Sequence, residues 1–311
     1  MAVINGNDSI RCSVVKKPKV GVLAGGMLGL NVLQNIVTEY RCEFILTDNA
    51  SREIVAQAQQ LKIPYFVGNP RGGAALKGLK KQGFERPDIL VSVNYPFLID
   101  DELISLPHLL SINIHGSLLP RYRGRAPLIW AIINGDDYSG ITVHAIETGC
   151  DTGPVLLQQR VEIPPDATGA EMVALYSELY PGLILEALSL ISSGNYILSP
   201  QDDTKATFYG KRTPDDGLID WSWCKERIYN WVRALAPPYP GAFCFVHGEK
   251  IIIEKVGYSD YGFSFADENG CIIGNEDGCP VVKTSNGAIR LDFISVPPHV
   301  KIEPGDLLMS D

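Results

Sequence analysis

Short apolar runs alternate with helix-like segments along the first part of the chain, and this alternation strongly constrains the fold. The first run begins at Lys19 and leads into a glycine turn and the start of a helix at residues 25–29. Further strands are predicted near residues 44–48, 63–67, 89–93 and 109–114, with helical patterns at residues 52–61 and 74–82. Strands that alternate with helices predict an α/β fold with a doubly wound, mostly parallel sheet. Ligands of such sheets bind at the carboxyl ends of the strands.

The composition of the chain changes after Ser193. Residues 194–205 are typical of a polar linker, and short alternating runs follow between closely spaced turn signals. The predicted strands cover residues 242–246, 250–256, 262–266, 271–273, 281–284 and 288–294. This pattern indicates a small barrel. We therefore predict an N-terminal extension at residues 1–18, a catalytic domain at 19–193, a linker at 194–205 and a C-terminal domain at 206–311.

One predicted strand carries polar side chains where its apolar run ends. Asn113 and His115 occupy alternate positions, so both should point to the same side of the sheet. An amide donor can stabilise an oxyanion and a histidine can move a proton, and together they suit acyl transfer. Ser117 lacks the Gly-x-Ser-x-Gly surroundings of a hydrolase nucleophile, which favours direct transfer to an amine. A purely local hydrogen-bonding arrangement remains the alternative.

A second polar segment lies farther along the chain, where Gly149 and Gly153 bracket Asp151 in a predicted tight turn. A carboxylate at Asp151 could pair with His115, raise the pKa of the imidazole and fix its tautomer. The alternative is an aspartate that only caps its own turn.

The glycine turn near the N-terminus allows two interpretations. Residues 25–29 read Gly-Gly-Met-Leu-Gly, and Asp48 follows at a distance that resembles a partial dinucleotide fingerprint. The glycine spacing departs from Gly-x-Gly-x-x-Gly, so a dehydrogenase is the weaker interpretation. We expect instead that Gly25 helps to bind a substrate phosphate near the N–H groups of the following helix.

The motifs around these residues resemble the 10-formyltetrahydrofolate-dependent formyltransferases. The resemblance rests on Asn113-x-His115, on Ser-Leu-Leu-Pro-Arg-Tyr-Arg-Gly at residues 117–124, and on Asp151-Thr-Gly. It implies that Asn113, His115 and Asp151 are the catalytic residues. Residues 118–130, 206–216 and 232–243 are similar to the formyltransferase half of the bifunctional enzyme that acts on UDP-4-amino-4-deoxy-L-arabinose. The resemblance runs from about residue 20 to about residue 255.

This resemblance implies a co-substrate, an acceptor and an OB-like C-terminal barrel. The co-substrate is 10-formyltetrahydrofolate, and the acceptor is a nucleotide-linked 4-amino sugar. The residues expected to contact the folate are Phe97, Leu98, Ile99, Arg125, Glu147, Thr148, Gly149, Cys150 and Asp151. Lys211 and Arg212 could meet the nucleotide diphosphate, although a solvated basic pair is the alternative.

Charge and composition limit the partners that we expect. The net charge is −9, and from Lys205 to the C-terminus 11 Lys and Arg face 15 Asp and Glu. A tRNA-binding surface needs positive charge, so methionyl-tRNA formyltransferase is the second hypothesis and no nucleic-acid partner is expected. A non-catalytic nucleotide-sugar binding module is the third, and the Asn-His-Asp set argues against it. A homodimer is compatible with the sequence.

The same composition suggests a cytoplasmic enzyme without a metal. The seven cysteines form no Cys-x-x-Cys pair or Cys/His cluster, so we expect reduced thiols and no metal site. The sequence contains no run of about 18 apolar residues, so we expect no membrane span. The first residues lack the basic and apolar regions of a signal peptide.

Overall fold

The computed structural model describes residues 17–310, so nearly all of the predicted extension at residues 1–18, including Cys12, lies outside the described residues. In the first part of the chain, the helices and strands are β1 (Lys19–Ala24), α1 (Gly26–Glu39), β2 (Arg41–Thr47), α2 (Arg52–Gln60), β3 (Tyr65–Val67), α3 (Ala74–Gln82), β4 (Ile89–Val93), α4 (Asp101–Ile104), β5 (Leu110–His115), β6 (Arg123–Gly124), α5 (Pro127–Ile133), β7 (Tyr138–Ala145), β8 (Val155–Glu162) and α6 (Gly169–Ser193).

Seven of these strands form one sheet in the order β3-β2-β1-β4-β5-β7-β8. The first five strands in this order are parallel, and β7 runs antiparallel to both β5 and β8. Alternate residues of β2 enter opposite cores: Ile45 packs with α1 and α2, whereas Phe44 and Leu46 pack with α3. Both faces of the sheet are therefore covered, which confirms the predicted doubly wound, mostly parallel architecture.

Helix α6 packs against the same core. A capping box between Thr168 and Glu171 fixes its start, and Gly194 ends it in a left-handed conformation. Within residues 17–310 it is the only helix long and apolar enough to cross a membrane. Ten of its residues are buried, and it packs along α1. These contacts support the assignment of α6 as a core helix.

The last part of the chain is built mainly from antiparallel strands. Its elements are β9 (Phe208–Tyr209), α7 (Lys225–Leu235), β10 (Ala242–Val246), β11 (Glu249–Ser259), β12 (Ile272–Glu276), β13 (Cys279–Thr284) and β14 (Gly287–Ser295). Five strands pair in the order β10-β11-β14-β13-β12. The C-terminal segment closes the ring, because Met309 pairs with Phe245 and Leu307 pairs with Cys271. The predicted small barrel is confirmed.

One predicted strand is absent, and the predicted linker contacts the sheet. No strand forms at residues 262–266, where the alternating Phe263 and Phe265 imitate a strand, and Phe265 is 90% exposed. The predicted linker at residues 194–205 is hydrogen-bonded to the sheet, since Ser199 pairs with Val155 and the Gln201 amide donates to the Gly153 carbonyl oxygen over 2.7 Å. This segment holds the second half of the chain against the catalytic sheet.

Candidate active site

A cavity of about 1350 Å³ opens at the carboxyl end of the parallel strands. Asn113 and His115 reach it from β5, as their alternate positions predict. Strand β7 pairs with β5 so that His144 lies opposite Asn113. The loop between β7 and β8 brings Asp151 to the same wall. The sheet therefore brings together the three polar side chains that the sequence singles out, and it adds a second imidazole.

The His115 imidazole is buried, with a hydrogen bond on one side and a carboxylate on the other. Its Nε2 lies 2.8 Å from the carbonyl oxygen of Tyr122, and its Nδ1 lies 3.6 Å from Oδ1 of Asp151. A carbonyl oxygen can only accept, so Nε2 carries the hydrogen, and in the neutral ring Nδ1 holds the lone pair. The lone pair can then take a proton next to a carboxylate, which stabilises the imidazolium that forms.

One expectation about His115 is wrong, and a second holds only for the contribution of Asp151. The Tyr122 carbonyl, rather than Asp151, fixes the tautomer. Burial lowers the pKa of His115 below its ordinary value of 6.5 and outweighs the opposing effect of Asp151. The expectation of a raised pKa neglected this burial. As a result, His115 stays neutral, and able to act as a base, to a lower pH than a free histidine.

The Asp151 carboxylate is aimed at both imidazoles rather than at its own turn. Its Oδ1 lies 3.6 Å from His115 Nδ1 and 3.6 Å from His144 Nε2, and its Oδ2 accepts the Gly124 N–H over 2.9 Å. The residue has a φ of 54°, a left-handed conformation in which aspartate is enriched. Burial alone would raise the pKa of Asp151, but the two imidazoles in their protonated form and the Gly124 amide hold it below its ordinary value. The carboxylate therefore stays charged at neutral pH.

The sequence analysis gave no role to His144. Its Nδ1 lies 2.8 Å from the Ala145 carbonyl oxygen, so Nδ1 carries the hydrogen, and the neutral ring accepts the Asn113 amide N–H at Nε2 over 3.2 Å. This contact fixes the orientation of the carboxamide and leaves its second N–H available to the cavity. The sequence did contain a sign of this role. His144 is a polar residue near the end of the apolar strand β7, directly before the Asp151 loop.

A buried arginine holds the loop that carries Asp151. Arg123 is 2% exposed, and its guanidinium donates to Gln201 over 2.8 Å and to Asp203 over 2.6 Å. Gln201 in turn donates from its amide to the Asp151 carbonyl oxygen over 2.8 Å. This network fixes the Asp151 backbone from outside the cavity.

The residues expected to contact folate all line the cavity. They are Phe97, Leu98, Ile99, Arg125, Glu147, Thr148, Gly149, Cys150 and Asp151. Leu98 is 61% exposed although it is apolar, and the Arg125 guanidinium donates to the Pro96 carbonyl oxygen over 2.8 Å. Exposed apolar side chains beside a polar loop suit a flat heteroaromatic ring with hydrogen-bonding edges. The residues present therefore fit a folate, and their individual roles stay predictions.

Gly25 also lines the cavity, but its amide is already in use. The Gly25 N–H donates to the Val93 carbonyl oxygen over 3.1 Å, and the Gly26 N–H donates to the Ser51 hydroxyl over 2.8 Å. A Cβ on Gly25 would lie 3.2 Å from an Asp48 carboxylate oxygen. An anion at this turn would lose two donors and face a negative charge, so the geometry disfavours a phosphate at Gly25.

Lys211 and Arg212 line the cavity from the second half of the chain. The Arg212 guanidinium lies 4.8 Å from the ring centre of Trp130 and 4.5 Å from that of Trp231, so both indoles hold it. Its one hydrogen bond within residues 17–310 is the donation to the Asp216 carbonyl oxygen over 2.7 Å. The remaining N–H groups are available to an anionic ligand.

The structure also bears on metal binding and on the cysteines. Among residues 17–310, no three His, Cys, Asp or Glu side chains are placed to hold a metal ion. The six described cysteines are free, and Cys150 is exposed next to Asp151. The expectation of a metal-free reaction stays a prediction.

Comparisons with known proteins match both halves of the chain. The sequence model of the family "Formyl transferase" matches residues 49–188, and the model of "Formyl transferase, C-terminal domain" matches residues 211–309.

Solved structures share the fold at low sequence identity. The N-formyltransferase from Helicobacter canadensis, in complex with folinic acid and dTDP-3-aminofucose, is 16% identical with a TM-score of 0.67, over 88% of this chain and 98% of that one. The methionyl-tRNA formyltransferase from Clostridium thermocellum is 16% identical with a TM-score of 0.56, over 78% and 94%.

HypX from Aquifex aeolicus, in complex with tetrahydrofolic acid, is 17% identical with a TM-score of 0.60, over 89% of this chain. The present chain covers 44% of HypX, so it spans just under half the length of that protein. The shared fold agrees with the two family models, which together match more than half of the sequence. The chain therefore belongs to the formyltransferase family.

Proposed function

We propose that the protein transfers a formyl group from 10-formyltetrahydrofolate to the amine of a nucleotide-linked 4-amino sugar. The acceptor is UDP-4-amino-4-deoxy-L-arabinose or a related UDP- or dTDP-linked 4-amino sugar. The enzyme acts in the cytoplasm, and its product serves to modify lipid A or surface polysaccharide. The observation that carries this proposal is the convergence of Asn113, His115 and Asp151 on one cavity of about 1350 Å³. Such a cavity has room for two substrates. The dTDP-3-aminofucose bound to the Helicobacter canadensis relative supports a nucleotide-linked amino sugar as the class of acceptor.

His115 moves the proton in this reaction. When bound, 10-formyltetrahydrofolate supplies the formyl carbon that the sugar amine attacks. His115 accepts the amine proton at Nδ1 and returns it to the departing folate nitrogen, so that no proton remains on the enzyme. Asp151, 3.6 Å from Nδ1, stabilises the imidazolium between these two events. The Tyr122 carbonyl keeps the other ring nitrogen out of the exchange.

Asn113 stabilises the negative charge that develops on the formyl oxygen. Its carboxamide is fixed by His144 over 3.2 Å, so one N–H is in place before the substrates arrive. Preorganised donors of this kind supply much of the rate enhancement in acyl transfer, because they need no rearrangement as charge develops.

The surroundings of Ser117 support direct transfer without an acyl-enzyme. Ser117 is fully buried, and its hydroxyl donates to the Arg121 carbonyl oxygen over 2.7 Å. No base contacts that hydroxyl within residues 17–310, so Ser117 lacks the activation that a serine nucleophile needs. The amine of the acceptor is then the nucleophile.

Arg212, supported by Lys211, binds the diphosphate of the nucleotide. Because two indoles hold the guanidinium, it loses little freedom when a ligand binds. The N–H groups of Gly25 and Gly26 are already bonded within the protein, whereas, within residues 17–310, Lys211 and Arg212 offer free N–H donors on another side of the cavity. We therefore propose that the nucleotide binds away from the glycine turn.

Methionyl-tRNA is the alternative acceptor. The same fold occurs in the methionyl-tRNA formyltransferase described above, so the architecture does not separate the two acceptors. The charge weakens the tRNA hypothesis, because residues 205–311 carry 15 Asp and Glu against 11 Lys and Arg, whereas tRNA binding requires positive charge. The amino sugar is therefore the better-supported acceptor.

The proposal is tested by incubating the protein with 10-formyltetrahydrofolate and a panel of UDP- and dTDP-linked 4-amino sugars. A parallel reaction contains methionyl-tRNA. We expect a mass gain of one formyl unit on a sugar, in buffer with or without EDTA. Formylation of methionyl-tRNA alone would reject the proposed acceptor, and activity that disappears with EDTA would reject a metal-free reaction.

A further inference from the structure

Tyr180 carries a hydroxyl that the mechanism above leaves unused. The residue lies on α6, is 5% exposed and lines the cavity. Within residues 17–310, no protein group forms a hydrogen bond with this hydroxyl, and its oxygen reaches the cavity. Since Tyr180 lines the cavity, a bound molecule is the partner available to it.

The hydroxyl lies beside the catalytic strand. A Cβ on Gly116 would be 3.0 Å from the Tyr180 hydroxyl oxygen, and Gly116 directly follows His115. The hydroxyl therefore lies beside the end of the strand that carries Asn113 and His115. Burial raises the pKa of Tyr180, so the group stays protonated and can both donate and accept a hydrogen bond.

Tyr176, one helical turn earlier, differs in this respect. It is also buried, and its ring centre lies 5.9 Å from that of Tyr180. Its hydroxyl, however, donates to the Gly140 carbonyl oxygen over 3.0 Å. The two tyrosines share a helix and a wall of the cavity, but only the hydroxyl of Tyr180 is free to bind a ligand.

We propose that the Tyr180 hydroxyl binds the sugar hydroxyl on the carbon next to the reacting amine, and thereby selects the acceptor. This inference rests on the proposed function. Helix α6 contributes none of the residues expected to contact folate, which come from residues 97–99, Arg125 and 147–151. A sugar also presents several hydroxyls, each of which can pair with a phenol.

The test replaces Tyr180 by phenylalanine and measures steady-state kinetics for both substrates. We expect the KM for UDP-4-amino-4-deoxy-L-arabinose to rise roughly 5- to 10-fold, the effect of one lost hydrogen bond. The kcat and the KM for 10-formyltetrahydrofolate should change less than about twofold. The Tm should stay the same or rise, because the hydroxyl has no partner in the free protein.

Tyr176→Phe is the matched control. It removes a hydroxyl from the same helix, but one that the Gly140 carbonyl oxygen already binds. Its Tm should fall by about 2–4 °C while the KM for the sugar stays unchanged.

A 3-deoxy analogue of the acceptor completes the test. Wild type and Tyr180→Phe should use the analogue with equal KM, since the hydroxyl that Tyr180 binds is missing. An active wild type with an unchanged sugar KM in Tyr180→Phe overturns this inference alone. A wild-type enzyme that formylates no nucleotide-linked amino sugar overturns the proposed function, and this inference with it.

Discussion

Replacing Asp151 by asparagine isolates the charge that stabilises protonated His115. The carboxylate oxygen lies 3.6 Å from His115 Nδ1, and both side chains are largely buried. At an effective dielectric constant near 20, a unit charge pair at this distance is worth about 4 to 5 kcal/mol. The asparagine keeps the size of the side chain and its contact with the Gly124 N–H. Its amide can also donate to Nδ1 and block the lone pair.

We expect kcat for Asp151→Asn to fall about 10³-fold, the equivalent of roughly 4 kcal/mol of lost stabilisation. Asp136→Asn is the control, because Asp136 forms a 2.9 Å ion pair with Arg121 and does not line the cavity. Its kcat should change less than about threefold.

The pH dependence gives a second, independent readout of the same variant. Neutral His115 is the active form, and its pKa lies below 6.5, so kcat/KM should decrease only at pH values below 6.5. Asp151 opposes this lowering, and removing its charge should move the acid limb to still lower pH. Titration of the substrate amine is common to both enzymes and cancels in the comparison. A loss of kcat below tenfold, or a limb that moves to higher pH, would refute the assigned role of Asp151.

Three further predictions address other parts of the site. Asn113→Ala should lower kcat about 100- to 1000-fold in steady-state assays, because one oxyanion donor is lost; near-normal turnover would exclude that role. Because the pKa of His115 is lower in the folded protein than in the unfolded chain, the unfolded chain binds more protons as the pH decreases. The free energy of unfolding should therefore fall between pH 7.5 and pH 5.5. In urea unfolding, the free energy of unfolding of His115→Asn should fall less than that of wild type over this pH range, by up to about 1.4 kcal/mol. An equal fall in the two proteins would contradict the lowered pKa of His115. Arg212→Gln should raise the KM for the nucleotide sugar about 10-fold or more, whereas Arg227→Gln, which also stacks on indoles but does not line the cavity, should not. Equal KM values in these two variants would exclude Arg212 from diphosphate binding.

The sheet and the placement of Asn113 and His115 could be predicted because both depend on local periodicity. Residues two apart on a strand share a face, and parallel strands present their carboxyl ends at one edge. The sheet of the first half follows from the alternation of apolar runs and helical patterns. Asp151 was also identified, because the flanking glycines mark the loop that carries it.

Features that depend on tertiary contacts escaped the sequence. The position of His144 at the end of β7 is visible in the sequence, but its contact with Asn113 depends on the antiparallel register of β5 and β7, which no local pattern reveals. The tautomer of His115 depends on the Tyr122 carbonyl, and its lowered pKa depends on burial by the surrounding core. The alternating Phe263 and Phe265 predicted a strand that finds no partner, because the C-terminal segment closes the barrel instead.

The glycine turn shows why a motif requires the surrounding contacts. Gly25 and Gly26 have the composition of a phosphate-binding turn, but Val93 and Ser51 already bind their N–H groups. The glycine at position 25 is instead needed for close packing, since a Cβ there would lie 2.4 Å from the Asn94 carbonyl oxygen. Composition alone cannot distinguish these two uses of a glycine.

A single-turnover experiment tests the central claim most directly. The enzyme is mixed with 10-formyltetrahydrofolate labelled in the formyl group and with UDP-4-amino-4-deoxy-L-arabinose, and the reaction is quenched at short times. We predict that label leaves the folate and appears on the sugar at one common rate, with none bound to the protein. Label on the protein, or none on the sugar, would contradict direct transfer of the formyl group to the sugar amine.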